Sequence, residues 1–240
     1  MSTEPKFTSA RTAWGSLLYL RHRLIRASRY RVPRIERTET MTLLLMPEVF
    51  NGVLLKSGRL FASALDGKMI PAGARVLDVG TGSGIVAIRA AQFGALVTAV
   101  DINPEAVRCA RINVLLNRLE DRVQVCEGDL FDPVRGEKFD RILFNPPYYR
   151  RLPRNAADAA WRSPDAFDRF LDGLDGVLAP GGLCFVLLSS RGDLMPSLEA
   201  AGPHLRVTVA ARKDVLHEVF TLYRLDREAS PVRTEVRSEA

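Results

Sequence analysis

Three carboxylates are spaced through the middle of this 240-residue chain, and each lies at the end of a predicted β-strand or just after it. They are Asp78, Asp101 and Asp129. Because the carboxyl ends of parallel strands meet at one edge of a sheet, we expect the three acids to line one crevice. Such a row attracts ammonium, hydroxyl and amine groups of a ligand and repels phosphate.

A glycine-rich turn separates the first two acids. Residues 76–101 read VLDVGTGSGIVAIRAAQFGALVTAVD, which predicts a strand, a turn, a helix and a second strand. Gly80, Gly82 and Gly84 fall within this turn, where the lack of a Cβ permits a sharp bend and close approach of a ligand. The start of the helix offers free N–H groups. Asp101 follows about 20 residues later, where a nucleotide ribose binds in such folds.

Two cofactors compete for this turn. Gly82, Gly84 and Ala87 also satisfy the dinucleotide fingerprint, which makes an oxidoreductase the alternative. However, Asp78 would repel a pyrophosphate, whereas it can meet a cationic amino-acid group directly or through water. The row of acids favours S-adenosylmethionine, which carries an ammonium, a ribose diol and an adenine amine but no phosphate.

The strand predicted at 139–144 runs directly into Asn145, Pro146, Pro147 and Tyr148. This motif resembles the (Asn/Asp)-Pro-Pro-(Tyr/Phe) signature of methyltransferases that act on planar nitrogens, namely adenine and cytosine amines and the glutamine amide. The lone pair of such a nitrogen is delocalised and therefore a poor nucleophile. The resemblance implies that the acceptor nitrogen is activated by its placement.

The chemistry of the motif explains its residue types. The Asn145 side-chain oxygen and the Pro146 carbonyl can accept hydrogen bonds from one NH2 group and turn its lone pair toward the methyl group. Two prolines fix the φ angles of the loop, which preorganises this geometry. Tyr148 can stack on a planar base or amide. No strong general base is required, because the proton can leave during or after the transfer.

The wider pattern over residues 48–225 resembles the class I S-adenosylmethionine-dependent methyltransferases. The resemblance implies that Asp78 and the glycine turn hold the methionine end, that Asp101 binds the ribose hydroxyls, and that Asp129 holds the adenine. Further cofactor contacts are expected from Ile102, Leu130 and Asn145. The residues expected to bind the acceptor are Pro147, Tyr148, Tyr149 and Trp161.

Alternating strands and helices predict an α/β fold, a Rossmann-like three-layer sandwich. The resemblance implies a seven-stranded, mostly parallel sheet with an antiparallel C-terminal strand. Strands are predicted at 75–79, 96–101, 122–127, 139–144, 183–190, 205–212 and 218–225, with the last two forming an antiparallel pair. Helices are predicted at 84–93 and 104–117.

Two further helices are predicted around these units. Ser57 is a plausible N-cap for a helix that carries Leu60 and Phe61. A helix starting at Ser163 and Pro164 has an apolar face with helical spacing, before a turn at 179–182. The members of that face are Phe167, Phe170, Leu171, Leu174 and Leu178.

The chain is predicted to have three parts: a basic N-terminal arm at 1–47, a catalytic domain at 48–226, and a disordered tail at 227–240. In the arm, residues 1–10 are expected to be disordered, 12–26 to form an amphipathic helix, and 39–47 to be extended or a strand. The helix either docks onto the main domain or binds a partner.

The positive charge of the chain is concentrated in the arm. Residues 11–37 contain eight arginines and one glutamate, or +7, against +6 for the whole chain, so the remainder carries −1. A basic arm suits RNA, the ribosome or another acidic partner, and equally suits a solvated helix face.

The cysteines and the hydropathy indicate the compartment. Cys109, Cys126 and Cys184 are odd in number and widely spaced, which predicts reduced thiols rather than a disulfide or metal site. No apolar run reaches the roughly 20 residues of a membrane span. We therefore expect a cytoplasmic protein that does not enter a membrane.

Four runs of the sequence are similar to those of HemK-type protein glutamine methyltransferases: VLDVGTGSGIVAIRA, VDINPEA, GDLFDP and FDRILFNPPY. The resemblance implies methylation of a glutamine in a protein, such as a translation factor or ribosomal protein. The chain lacks the Arg-Pro-Glu-Thr stretch that leads into the fold in the bacterial release-factor enzymes, and has LLKSGRLF there.

Three other functions remain open from the sequence. One is an rRNA or tRNA adenine methyltransferase, which the basic arm and Arg150, Arg151 and Arg154 would suit. The others are a small-molecule N-methyltransferase and a protein that binds the cofactor without catalysis. The presence of both Asn145 and Tyr148 argues against the last.

Overall fold

The computed structural model describes residues 32–47, 49, 57–202, 205–215 and 218–227. The predicted disordered start, the amphipathic helix at 12–26 and residues 228–240 of the predicted tail lie outside this part of the chain.

A seven-stranded sheet forms the centre of the protein, in the order β5-β4-β3-β6-β7-β9-β8. Strands β3 to β7 run parallel, and β9 lies antiparallel between β7 and β8. This confirms the predicted sheet. The strands are β3 (Arg75–Val79), β4 (Leu96–Asp101), β5 (Val123–Glu127), β6 (Phe139–Phe144), β7 (Leu178–Ser189), β8 (Leu205–Val215) and β9 (Glu218–Arg227).

Helices cover both faces of the sheet. On β3, Val76 belongs to a buried cluster with Phe61 and Ile88, while its neighbour Leu77 belongs to a second cluster with Phe170. Successive strand residues point to opposite faces, so these two clusters are the two cores of a three-layer sandwich. The helices are α1 (Ser57–Ala64), α2 (Ile85–Gln92), α3 (Pro104–Leu116), α4 (Ala156–Ala159), α5 (Ala166–Val177) and α6 (Met195–Ala201).

Several predicted boundaries need correction. Helix α5 begins after Ser163, whose Oγ accepts a hydrogen bond from the Ala166 N–H at 3.1 Å, and it ends at Val177. Leu178 is therefore the first residue of β7, and the predicted turn at 179–182 lies within that strand. The pairing of β6 with β7 shifts register there. Helix α6 was not predicted.

A small hairpin precedes the main sheet. It consists of β1 (Arg34–Arg37) and β2 (Thr42–Leu45), which pair antiparallel. Strand β2 confirms the strand predicted within 39–47, whereas β1 was missed. Of the helices in the described residues, none is long and apolar enough to cross a membrane.

Two asparagines one turn apart hold this hairpin, Asn113 on α3 and Asn117 directly after its end. The Asn113 amide accepts from the Leu44 N–H at 2.6 Å and donates to the Leu44 carbonyl at 2.9 Å. Asn117 bonds Thr42 in the same way, at 3.0 and 2.7 Å. Asn113 also donates to the Ser83 carbonyl at 2.8 Å. The two amides thus bond the backbone of β2 in the way that a neighbouring strand would. Through the bond of Asn113 to Ser83, the hairpin is also connected to the glycine turn.

Candidate active site

A cavity of about 270 Å³ opens at the carboxyl ends of β3, β4 and β6. Of the residues predicted to form the site, it brings together Gly80, Gly82, Asp101, Ile102, Asp129, Leu130, Asn145 and Pro147. Within the described residues, its wall does not include Asp78, Gly84, Pro146, Tyr148, Tyr149 or Trp161. The cavity thus opens at the predicted edge of the sheet and includes part of the predicted set of residues, whose ligand roles stay predictions.

The glycine turn connects β3 to α2 in left-handed geometry. The φ angles of Gly80, Gly82 and Gly84 are 62°, 56° and 80°. A Cβ on Gly84 would lie 3.3 Å from the Cβ of Ala110 on α3, so a side chain there would meet both strain and a close neighbour. The turn can follow this path only because these positions are glycine.

Asp101 ties the end of β4 to the turn. Its Oδ2 accepts a hydrogen bond from the Gly82 N–H at 2.8 Å, and its Oδ1 accepts one from the Asn103 N–H at 2.9 Å. Burial raises the pKa of the Asp101 carboxyl, and these hydrogen bonds oppose that rise. The carboxylate both orders the turn and forms part of the cavity wall.

Asp78 lies behind the turn and is only 2% exposed. Its Oδ2 accepts hydrogen bonds from the Thr81 hydroxyl at 2.6 Å and from the Ala87 N–H of α2 at 3.1 Å. Burial raises the pKa of this carboxyl to about 7, against the lowering effect of the two hydrogen bonds. Asp78 thus fastens the turn to the helix, and its contact with a ligand stays a prediction.

Asp129 has a cationic partner that sequence reasoning missed. Its Oδ2 accepts from the Arg169 guanidinium of α5 at 2.6 Å, and this bond is the main reason why the pKa of Arg169 is raised. Both residues line the cavity. They lie 40 residues apart, and no sequence motif marks Arg169. The next residue, Leu130, has a positive φ of 46°, which is unusual for a branched apolar residue.

Asn145 follows β6 and is hydrogen-bonded through both ends of its amide. Its Oδ1 accepts from the Tyr148 hydroxyl at 2.7 Å, and its Nδ2 donates to the Ser57 Oγ at 3.3 Å. Ser57 is the first residue of α1 as described, and its Oγ accepts this bond from Asn145, while its predicted role as N-cap stays a prediction.

The predicted stacking role of Tyr148 is wrong. The residue is 4% exposed, and its ring packs 6.3 Å from the ring of Phe220 on β9. Burial raises the pKa of the phenol far above its usual value, so the hydroxyl stays protonated and donates to Asn145. Pro147, not Tyr148, lines the cavity next to Asn145.

The loop after the motif is tied to itself. The Tyr149 N–H donates to the Trp161 carbonyl at 3.0 Å, and the Tyr149 carbonyl accepts from the Ser163 N–H at 3.1 Å. The Arg150 guanidinium bonds Asp168 and Ser197. The charge of Arg150 is thus paired within the chain, which disfavours the alternative in which Arg150 meets phosphate or an acidic substrate.

A second loop supports the motif from behind. The Asp193 N–H donates to the Tyr148 carbonyl at 3.0 Å, and the Asp193 Oδ1 accepts from the Arg150 N–H at 2.8 Å. A Cβ on Gly192 would lie 2.8 Å from the Tyr148 carbonyl oxygen. The backbones approach so closely that only glycine fits without movement.

The cavity wall fits S-adenosylmethionine in its chemistry. Asp101 and Asp129 supply carboxylates, and Ile102 offers an apolar surface that is 61% exposed, large enough for a flat ring to cover. Gly80 and Gly82 leave room beside the backbone. Acceptors for hydroxyl and amine groups thus lie beside an apolar face, as an adenosine moiety requires.

Comparison with known proteins agrees with this geometry. The family model described as "Methyltransferase small domain" matches residues 40–213. A relative from Methanocaldococcus jannaschii carries the provisional name "protein N5-glutamine methyltransferase". It is 36% identical over 156 residues, covering 60% of this chain and 76% of that protein. A release factor glutamine methyltransferase of Moorella thermoacetica is 36% identical over 141 residues, covering 52% of this chain and 50% of that protein.

A solved structure shares the fold at low sequence identity. It is the T. thermophilus 16S rRNA N2 G1207 methyltransferase in complex with AdoMet and guanosine. The two chains are 22% identical with a TM-score of 0.63, and the match covers 82% of this chain and 50% of that one.

Proposed function

We propose a function for this chain from one premise: it belongs to the methyltransferase small domain family. S-adenosylmethionine is its methyl donor, and the proposed acceptor is the side-chain amide nitrogen of a protein glutamine. The observation that carries the proposal is Asn145, which lines the cavity with its amide fixed by Tyr148 and Ser57. The two relatives described above carry names for this acceptor.

Residues of the cavity wall are proposed to hold the cofactor. Asp101 would accept from the ribose hydroxyls and Asp129 from the adenine amine, while Ile102 and Leu130 cover the ring. The turn of Gly80, Gly82 and Gly84 would hold the methionine end, with Asp78 behind it. When bound, S-adenosylmethionine supplies an electrophilic methyl group.

The acceptor is proposed to bind at Asn145. An amide oxygen has two lone pairs, and Tyr148 uses one, so the other can accept from the acceptor NH2 group. The Pro146 carbonyl would accept the second N–H. Holding the nitrogen at a fixed place and angle can supply as much as about 7–11 kcal/mol of the barrier. Tyr148 does not act as a base, because burial keeps its hydroxyl protonated.

The partner is proposed to be a translation factor or ribosomal protein, encountered in the cytoplasm. The chain spans half the length of the Moorella thermoacetica relative. The proposal for the acceptor therefore depends on the residues of the cavity and not on the activity of that whole protein. RNA is the second candidate, and the +7 charge of residues 11–37 is the observation that favours it.

Transfer of labelled methyl tests the acceptor. The full chain is incubated with labelled S-adenosylmethionine and, in separate reactions, with recombinant release factor, ribosomal protein uL3, total rRNA and total tRNA. We expect label in protein that mass spectrometry places on a glutamine, and its loss with Asn145→Ala. Label in RNA alone would overturn the glutamine proposal.

A further inference from the structure

Three side chains from two distant parts of the sequence meet at the acceptor end of the cavity. Ser57 lies on α1 and is 1% exposed, yet 88 residues separate it from Asn145. The Asn145 Nδ2 donates to the Ser57 Oγ at 3.3 Å, and the Tyr148 hydroxyl donates to the Asn145 Oδ1 at 2.7 Å.

These two bonds form a chain of hydroxyl and amide groups. The phenol donates to the amide oxygen, and the amide NH2 donates to the serine oxygen. In such a chain each bond polarises the next, so the two are stronger together than separately. The phenol, whose ordinary pKa is near 10, is a better donor than an alkyl hydroxyl. This difference favours the orientation in which the Asn145 oxygen faces Tyr148 and its NH2 faces Ser57.

The orientation of that amide decides whether the site can work. If the amide turned over, Nδ2 would stand where Oδ1 accepts, and two N–H groups would confront the NH2 of the acceptor. Loss of the serine would remove the only bond that the structure describes for Nδ2. The amide would then rotate more freely, and fewer bound acceptors would meet an oxygen.

We propose that Ser57 is a positioning residue that acts through Asn145 to keep the amide oxygen presented to the acceptor nitrogen. The inference rests on the proposed role of Asn145. It applies to any planar nitrogen and so does not require a glutamine.

Ser57→Ala tests the proposal, and Ser63→Ala is its matched control. Ser63 lies on the same helix, is exposed, and donates only to the Leu60 carbonyl at 2.9 Å in the described structure. With the acceptor that takes label, we expect Ser57→Ala to lower kcat by about 10-fold, because a misplaced group lowers the fraction of productive complexes. KM and the Kd of S-adenosylmethionine should change by less than about 2-fold, and Ser63→Ala should match the parent chain. An unchanged kcat in Ser57→Ala would overturn the proposal.

A double-mutant cycle with Tyr148→Phe separates positioning from general loss of packing. If both hydroxyls act on the same amide, the double variant should lose less kcat than the product of the two single losses. Independent losses that multiply would contradict a shared action through Asn145.

A spectroscopic measurement decides the question without any acceptor. In ¹⁵N-labelled chain, the two Asn145 side-chain N–H protons should exchange with water about 10-fold faster in Ser57→Ala than in Ser63→Ala, because one has lost its partner. Equal exchange would overturn the proposal even if the acceptor is RNA. If Asn145→Ala retained activity while the exchange differed, the proposed function would fail and the orienting effect of Ser57 on Asn145 would stand.

Discussion

The two ends of the cavity are built in different ways. At the cofactor end, formed by the carboxyl ends of β3, β4 and β5, the partners that order the glycine turn are close in sequence: Asp101 bonds Gly82 across 19 residues, and Asp78 bonds Thr81 across three. Arg169 is the exception, since it lies 40 residues from Asp129. At the acceptor end, formed by 145–150, partners are 88 residues away at Ser57 and 43 away at Asp193. Local bonds shape a turn within one βα unit, whereas distant bonds require the whole domain to be folded.

The difference predicts that variants at the cofactor end change cofactor affinity, while variants at the acceptor end change kcat. Asp101→Ala should have the largest effect. It removes a charged acceptor for ribose and the anchor of Gly82, each worth about 2 kcal/mol, so the Kd of S-adenosylmethionine should rise about 1,000-fold. Calorimetric titration measures this. Asn145→Ala is the reciprocal variant, and a larger rise in Kd there than in Asp101→Ala would contradict the division.

Asp78→Asn should produce the next largest effect, on stability. The folded-state pKa of Asp78 is raised to about 7, so the folded chain binds more protons than the unfolded chain between about pH 4 and 7. Stability from this group is therefore lost as the pH rises through that window. The expected loss between pH 5 and 8 is on the order of 3 kcal/mol.

The asparagine variant keeps both hydrogen bonds of the group, since Thr81 and Ala87 donate to the same oxygen of Asp78. It should lack the pH-dependent loss. Urea unfolding of both chains at pH 5 and pH 8 measures the difference. A difference between the chains that is the same at both pH values would contradict the burial of an ionising carboxyl.

Gly192→Ala should have a moderate effect, confined to the acceptor end. The added Cβ meets the Tyr148 carbonyl at 2.8 Å and displaces the loop that carries Asn145. We expect kcat to fall about 10-fold with little change in cofactor Kd. Gly176→Ala on α5, where a Cβ would meet nothing within 4 Å, is the control. Equal kcat in the two variants would show that the Gly192 loop does not position the motif.

Arg169→Gln should have the smallest effect. Arg169 is part-exposed, so its pair with Asp129 contributes modestly, and the Kd of S-adenosylmethionine should rise about 3-fold. Arg135→Gln removes another arginine–aspartate pair, a more exposed one with Asp132 outside the cavity wall, and should leave Kd unchanged. The rise should shrink at high salt, since the pair is screened. Equal Kd values for the two variants would show that Arg169 does not contribute to cofactor binding.

The same contrast explains which features could be predicted from the sequence. Strands at 75–79, 96–101 and 139–144 were predicted with the bounds observed, because each is a buried apolar run that ends at a turn or an acid. The glycine turn can be recognised from its own residues, because Gly80, Gly82 and Gly84 adopt φ angles that other residues disfavour. The positions of Asp101 and Asn145 at the cavity follow from strand ends alone.

Features that depend on contacts between distant segments were missed. Nothing in the residues around Tyr148 indicates that Phe220 packs against its ring and that its hydroxyl bonds Asn145, so this aromatic residue beside a proline motif was predicted to face the acceptor. Arg169 carries no motif. Strand β1 and helix α6 have four and seven residues, which is too short for a clear hydrophobic period in the sequence. Contacts with neighbouring segments stabilise them.

The order of these segments along the chain also has a consequence for synthesis on the ribosome. The glycine turn and the acids after β4 and β5 all leave the exit tunnel before residue 130. The supports of Tyr148 emerge much later, Asp193 first and Phe220 after it. A nascent chain thus holds the glycine turn and both of these acids while the acceptor motif still lacks the segments that fix it, and Arg169 is the member of the methyl-donor end that follows the motif. The ability to bind the acceptor is therefore the last property that the chain gains during translation.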